Sequence, residues 1–327
     1  MADGIPDTFA VELAGVGKRF GDVHAVRDVS LSVRRGEICV LIGPSGCGKT
    51  TTLKMINRVV PADTGTIRVR GEDIRDIDAV KLRRSIGYVI QQVGLFPHMT
   101  IAENIGLPLR LESAPRQMRR DRAAKLLALV GLSVELLDRH PAQLSGGQQQ
   151  RVGVARALAA DPDIILMDEP FGAVDPLLRP QLQVELRAIQ KRLGKTIVLV
   201  THDLSEAFAL ADTLVLMDHG KVVQQGSPRD FLLAPADPFV SRFLQQVGAS
   251  EALRVTRVAD LPRGPTGMPG PAVDVGPEAT IADLLQQLGA ASDVPSRIDI
   301  VPPGDGPVSI NAVFSAIASA LRREDVS

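Results

Sequence analysis

Short, almost uninterrupted apolar runs recur along this chain: Ile38-Cys39-Val40-Leu41-Ile42, Ile86-Gly87-Tyr88-Val89-Ile90, Ile164-Ile165-Leu166-Met167 and Ile197-Val198-Leu199-Val200. Each is strand-length, and continuous rather than alternating hydrophobicity is the pattern of a strand covered on both faces. From about Val11 to Asp76 the chain reads as antiparallel strands around the first run, with Gly36 and Gly65 at turns. Between about 92 and 160 the spacing becomes helical. Gln117 to Val130 is amphipathic, its basic residues forming a solvated face, and a second stretch extends from Gln149 through Arg151, Val154, Ala155 and Leu158 to about Ala160. Leu214-Val215-Leu216-Met217 and Val222-Val223-Gln224 flank Asp218-His219-Gly220, a hairpin signal, and a last helix is expected near Pro238 to Val247. The succession predicts an α/β fold.

Polar residues with specific chemistry follow the ends of these runs. Ile42 leads into Gly43-Pro44-Ser45-Gly46-Cys47-Gly48-Lys49-Thr50 and then into the helical pattern Thr51-Thr52-Leu53-Lys54-Met55-Ile56. Glycines let several backbone N–H groups turn towards one anion, and the helix that follows adds its positive end. Lys49 can reach the outer phosphates of a nucleotide, the Thr50 hydroxyl can ligate magnesium, and Thr51 completes the loop; strand, loop and helix are the context a P-loop requires. The run 163–168 ends in Asp168-Glu169. Asp168 is suited to hold magnesium, usually through water, and Glu169 to polarise an attacking water. Leu144-Ser145-Gly146-Gly147-Gln148 opens the second helical stretch, so that Ser145 and the N–H groups of Gly146 and Gly147 form another anion site, or simply a capped helix start.

These segments together, at these intervals, resemble the motifs of ATP-binding-cassette (ABC) ATPases over about residues 9–247. The resemblance implies a RecA-like core with an antiparallel β-subdomain and a helical subdomain over about 92–160. It implies that Ser145, Gly146, Gly147 and Gln148 contact the ATP held by a partner subunit's P-loop. Gln91 resembles the Q-loop glutamine that touches magnesium and water, with Gln92 as its neighbour, and His202 resembles the switch histidine that contacts the γ-phosphate. Ala173-Val174-Asp175 resembles the D-loop, although the family more often has serine and leucine before that aspartate. Phe20 stands where the family stacks an aromatic ring, usually tyrosine, on adenine. Gly94 to Thr100 would border a groove for a coupling helix of a membrane subunit, while Phe96 and Met99 read equally well as core residues.

Composition adjusts this picture. With 37 basic and 38 acidic residues there is no excess of positive charge for a nucleic acid, which weakens the rival reading as a soluble ABC protein of DNA repair or translation. No apolar run approaches the roughly 20 residues of a spanning helix, and Met1 to Pro6 does not resemble a signal peptide. The family reading therefore expects a peripheral protein on the cytoplasmic face of the membrane, a homodimer working with permease subunits and an extracytoplasmic solute-binding protein. The cysteines are Cys39 and Cys47, poor material for a disulfide framework. Cys47 has two readings: a thiol whose thiolate is favoured by Lys49 and the helix N-terminus, or a small residue that fits.

Pro262 to Pro271 reads as a linker within 248–274, and 275–327 as a small second αβ unit. Its order, a strand at Val275, a helix to Leu285, strands at 298–301 and 308–310 and a helix over 311–321, is similar to a single, degenerate CBS module or is a plain αβ tail. The stretches Ile86 to Ile105 and Lys54-Met55-Ile56-Asn57-Arg58 resemble those of importers for osmoprotectant quaternary amines, a group that often carries C-terminal CBS modules. The expected function is the ATPase of such an importer, with ATP and magnesium as its cofactors; an importer of an amino acid, sulfonate or polyamine is the rival reading.

Overall fold

In the computed structural model, the residues described are 8–91, 94–172, 174–244, 253, 256–260, 272–276, 278–284, 297–300 and 308–309. Strands β3 (Ile38–Ile42), β7 (Ile164–Asp168) and β8 (Thr196–Val200) are buried at every position, as continuous apolar runs demand. With β6 (Ile86–Val89), β9 (Thr213–Asp218) and β10 (Lys221–Gly226) they form a six-stranded sheet in the order β10-β9-β3-β8-β7-β6. The neighbours from β9 to β6 are parallel, and only β10 turns back antiparallel on β9. Non-consecutive neighbours bring the carboxyl ends of β3, β6, β7 and β8 to one edge, where α/β sheets hold their ligands.

A second, antiparallel sheet has the order β2-β1-β4-β5, from β1 (Phe9–Phe20), β2 (Val23–Arg34), β4 (Thr64–Val69) and β5 (Glu72–Asp73). Its inward residues Val11, Leu13, Leu31 and Ile67 join one core cluster with Leu41 and Val198 of the parallel sheet and with Leu53, Met55 and Ile56 of helix α1 (Lys49–Ile56). Burying each such side chain is worth roughly 1.5–3 kcal/mol, so the P-loop helix is gripped by both sheets. The intervening helices are α2 (Ala79–Ser85), α3 (Ile101–Leu111), α4 (Arg116–Leu129) and α5 (Gly146–Ala157), followed by α6 (Arg179–Leu193) and α7 (Leu204–Leu210). The amphipathic reading of 117–130 corresponds to α4. Helix α5 starts before the expected Gln149, because Ser145 caps it and draws both glycines into its first turn.

Contacts divide the chain between Ser227 and Pro228 into two compact units. The second contains α8 (Pro228–Leu233), α9 (Pro238–Phe243) and a three-stranded sheet, β11 (Ala272–Val275), β12 (Arg297–Ile300) and β13 (Val308–Ser309). β11 and β12 are parallel, β12 and β13 antiparallel, and a helical turn at 281–284 lies between the first two. These are the strands expected for the tail unit; the proline-rich linker at 262–271 and the helix at 311–321 lie outside the described residues.

Candidate nucleotide site

The P-loop joins β3 to α1 with glycines at conformations that other residues reach only under strain. Gly43 has φ +139° and Gly48 φ +106°, and a Cβ on either would collide with a backbone carbonyl, Met217 O or Ala25 O respectively. The loop thus packs flush against the backbone at Met217 and Ala25, while Pro44, Ser45 and Gly46 form an exposed turn before α1. Lys49 is buried, and its Nζ donates to the carbonyls of Gly43 at 2.7 Å and Pro44 at 2.9 Å. Thr51 follows Thr50 in the first turn of the helix.

Three strand ends converge on this loop. The Thr50 hydroxyl donates to Asp168 Oδ1 at 2.8 Å, joining α1 to the end of β7. Burial pushes the Asp168 carboxyl up from its ordinary value, against the lowering hydrogen bond from Thr50. A hydroxyl beside a buried carboxylate is a donor set suited to a divalent cation, whose charge would offset that burial. The next residue, Glu169, stands in the left-handed region at φ +46°, a strained position for a side chain of its size. Its N–H donates to Val200 O, and its carboxylate takes two partners: Gln91 Nε2 at 2.7 Å and His202 Nδ1 at 3.3 Å. The sequence-expected residues Lys49, Thr50, Gln91, Asp168, Glu169 and His202 are therefore brought together. Asp175 lies at the approach to α6, its Oδ1 accepting the N–H of Leu177; Ala173 and Gln92 lie outside the described residues.

Two further groups stand apart from this cluster. Phe20 is half exposed at the end of β1, with Lys18 Nζ 5.3 Å from its ring centroid. Ser145 heads α5 in a capping box: its Oγ accepts the Gln148 N–H at 3.3 Å while Gln148 Oε1 accepts the Ser145 N–H at 3.0 Å. A cavity of about 260 Å³ opens beside Ser145, Gly147 and Gln148, lined otherwise by the Gly131–Leu132 turn, Arg151 and the α6 side.

Of the two readings of Cys47, the favoured thiolate is the one that burial opposes. Cys47 is 3% exposed, and burial raises its thiol above the ordinary value despite Lys49 Nζ at 3.6 Å. The opposing cation does not compensate for the loss of water, so the reading as a small residue that fits is the one the geometry supports.

Comparison with known proteins decides what kind of site this is. Residues 26–172 match the family model for ABC transporters. The chain is 50% identical over 277 residues to the choline transport ATP-binding protein OpuBA of Bacillus subtilis, covering 84% of this chain and 72% of that protein. It is 52% identical over 279 residues to the glycine betaine uptake system ATP-binding protein YehX of Escherichia coli, covering 84% and 89%. This chain belongs to the ABC transporter family. Among solved structures, a dimeric ATP-binding cassette in a post-hydrolysis state with ADP and phosphate is 35% identical with a TM-score of 0.61, covering 66% of this chain and 98% of that one.

Three residues that matter to this ABC site escaped the sequence reading. Asn104 on α3 is fully buried and staples the segment after Gln91: its Oδ1 accepts the Phe96 N–H, and its Nδ2 donates to the carbonyls of Phe96, Met99 and Thr100. Phe96 itself is 40% exposed and lines a groove, which removes it from the core. Arg179 at the start of α6 and Glu206 on α7 lie behind Glu169 and His202. Asp203-x-x-Glu206 has the look of a helix start, and Asp203 does cap α7, but Glu206 turns inward to accept from Thr201 Oγ1 at 3.2 Å.

Proposed function

We propose that this ABC protein is the ATP-hydrolysing subunit of an importer for quaternary-amine osmoprotectants of the glycine betaine, carnitine and choline class. The observation that carries the enzymatic part is the Gln91–Glu169–His202 cluster beside the P-loop; the kinship with choline and glycine betaine systems carries the substrate class. ATP would lie along the P-loop with adenine on the open face of Phe20. Lys49 would exchange the carbonyls of Gly43 and Pro44 for phosphate oxygens, and the N–H groups of Ser45 to Thr51 would surround them. Thr50, Asp168 and Gln91 would hold Mg2+, which would supply positive charge against the negative charge of the phosphates.

In this reading Glu169 accepts a proton from the attacking water, Gln91 orients that water, and His202 leaves Glu169 to meet the γ-phosphate. Ser145, Gly146, Gly147 and Gln148 supply the second anion site, and Asp175 approaches the same nucleotide, when two copies assemble head to tail. The 490 Å³ groove lined by Ile86, Tyr88, Ile90, Phe96, Leu107 and Leu111 is suited to a helix of a permease subunit, and Asn104 braces its Phe96 side. No helix among the described residues is long and apolar enough to cross a membrane; the kinship with transport ATP-binding proteins is what supports a peripheral subunit on the cytoplasmic face that works with permease and solute-binding chains. In the domain scheme we favour, 9–247 is the ATPase, 248–274 a linker and 275–327 a CBS-like regulatory unit.

The test is ATP hydrolysis and uptake of labelled glycine betaine, carnitine and choline by the full chain reconstituted with its membrane subunits. Glu169→Gln should bind ATP and dimerise yet turn over at least about tenfold more slowly. An undiminished rate would remove Glu169 from its role, and Glu169-dependent hydrolysis without quaternary-amine uptake would move the substrate to another solute class.

A further inference from the structure

Glu169 and His202 lie on different loops, after β7 and after β8. The loop after Glu169 folds back on it: the Gly172 N–H donates to Glu169 O at 3.2 Å, and a Cβ on Gly172 would stand 3.7 Å from Glu169 Oε2. The Val174 N–H donates to Phe171 O at 3.0 Å. On the other loop, Thr201 and Asp203 flank His202; the Asp203 N–H donates to Thr201 Oγ1 at 3.0 Å, and Asp203 Oδ1 caps α7 by accepting the Glu206 N–H at 3.1 Å.

One side chain touches both loops. Arg179 Nε donates to Val174 O at 3.0 Å and its Nη2 to Gly172 O at 3.4 Å, while its Nη1 stands 3.8 Å from Asp203 Oδ2. The guanidinium is about three-quarters screened, at 27% side-chain exposure, and it is anchored by the first turn of α6, where the Arg179 N–H donates to Asp175 O. Its planar fork directs separate N–H groups at three acceptors at once, which a lysine ammonium on a flexible stem cannot reproduce.

We propose that Arg179 is a positioning residue for ATP hydrolysis: it clamps the carbonyls of Gly172 and Val174 to Asp203, and so holds the loop that carries Glu169 in register with the loop that carries His202. The inference rests on the catalytic reading of Glu169 given above. Arg179 touches neither the P-loop nor the Phe20 platform, so its loss should fall on turnover and spare nucleotide affinity.

The experiment compares wild type, Arg179→Gln, Arg179→Lys, Asp203→Asn and the Arg179→Gln/Asp203→Asn double variant as full chains. The readouts are kcat, KM and the Kd of a fluorescent ATP analogue, with hydrogen exchange followed at 169–175 and 201–206. Arg179→Gln should lower kcat at least about fivefold with Kd within about twofold, and raise exchange in both loops together. Arg179→Lys should fall between it and wild type. Asp203→Asn retains the cap on α7 and removes only the ion pair, so it should cost less, and the double variant should be no slower than Arg179→Gln. If Arg179→Gln does not fold, Asp203→Asn carries the test: a kcat and loop exchange equal to wild type would overturn the inference. A kcat of Arg179→Gln within twofold of wild type, equal losses in kcat and Kd, or multiplicative effects in the double variant would also overturn it. Wild-type protein lacking Glu169-dependent ATPase would overturn the underlying reading and this inference with it, whereas such activity surviving in Arg179→Gln would sink the inference alone.

Discussion

The P-loop and the Ser145 loop both lead into helix N-termini, yet they are built on opposite plans. At the first, side chains from four strand ends already hold one another: Thr50 with Asp168, Gln91 and His202 with Glu169, Lys49 with its own loop. At the second, Ser145 and Gln148 satisfy only each other in a capping box, and the cavity beside them draws its lining from α5, α6 and the Gly131–Leu132 turn. A centre that is wired internally can bind nucleotide by itself. A loop whose polar groups are spent on its own helix start must give them up, at a cost of about 1 kcal/mol of capping, before they serve a ligand brought from outside.

The sharpest way to break this contrast is Lys49→Ala. It removes the one buried cation of the prebuilt centre, and the affinity for ATP should fall about 30-fold or more, equivalent to roughly 2 kcal/mol, whatever the protein concentration. Calorimetric titration of the full chain checks it, and an affinity within a few-fold of wild type would show that the backbone N–H groups suffice. The corresponding change at the other loop should behave differently. Ser145→Arg should leave ATP affinity in dilute protein within about threefold, abolish ATP-dependent dimers in sedimentation and lower turnover roughly tenfold or more. Loss of ATP affinity at low concentration would place Ser145 in the site of its own chain and end the contrast.

The same two regions mark how far the chain could be read without coordinates. The strands and the P-loop were legible because continuous apolar runs and glycine spacing are local signals, and the residues of the prebuilt centre follow strand ends directly. The helix cap at Ser145 was legible too, although its reciprocal bond with Gln148 was not, and the start of α5 was read too late because glycines look like a lead-in. Burial was not legible. Cys47 does lie near Lys49, but whether cation or dehydration dominates depends on how the folded chain buries the loop, which no local pattern discloses. Arg179, Asn104 and Glu206 were missed for the same reason. Each acts through partners on another element, or by turning inward where its local pattern predicts an exposed residue.

Glu206 gives the smallest of these effects and the one specific to the prebuilt side. It is 4% exposed, and burial pushes its carboxyl up to about 8; the hydrogen bond from Thr201 and the charge of Arg179 oppose the rise, while Asp203 and Glu169 add to it. In the unfolded chain the same group would titrate near 4.5. Between these values the folded state holds a proton that the unfolded state has released, so stability is full below about pH 4.5 and is lost progressively as pH rises towards 8. The loss amounts to no more than a few kcal/mol. Glu206→Gln keeps the shape and the partner of the protonated acid without its titration. Its melting temperature should match wild type near pH 5 and exceed it by a few degrees near pH 8, because roughly 1 kcal/mol moves a domain of this size by about 2–4 °C. Equal melting curves at both pH values would mean that Glu206 reaches water or a counter-charge when ionised. An equivalent pH dependence from the Ser145 loop is not expected, since its capping groups carry no titrating proton; a difference surviving in Glu206→Gln would therefore have to come from another buried acid, of which Asp168 is the first to replace with asparagine.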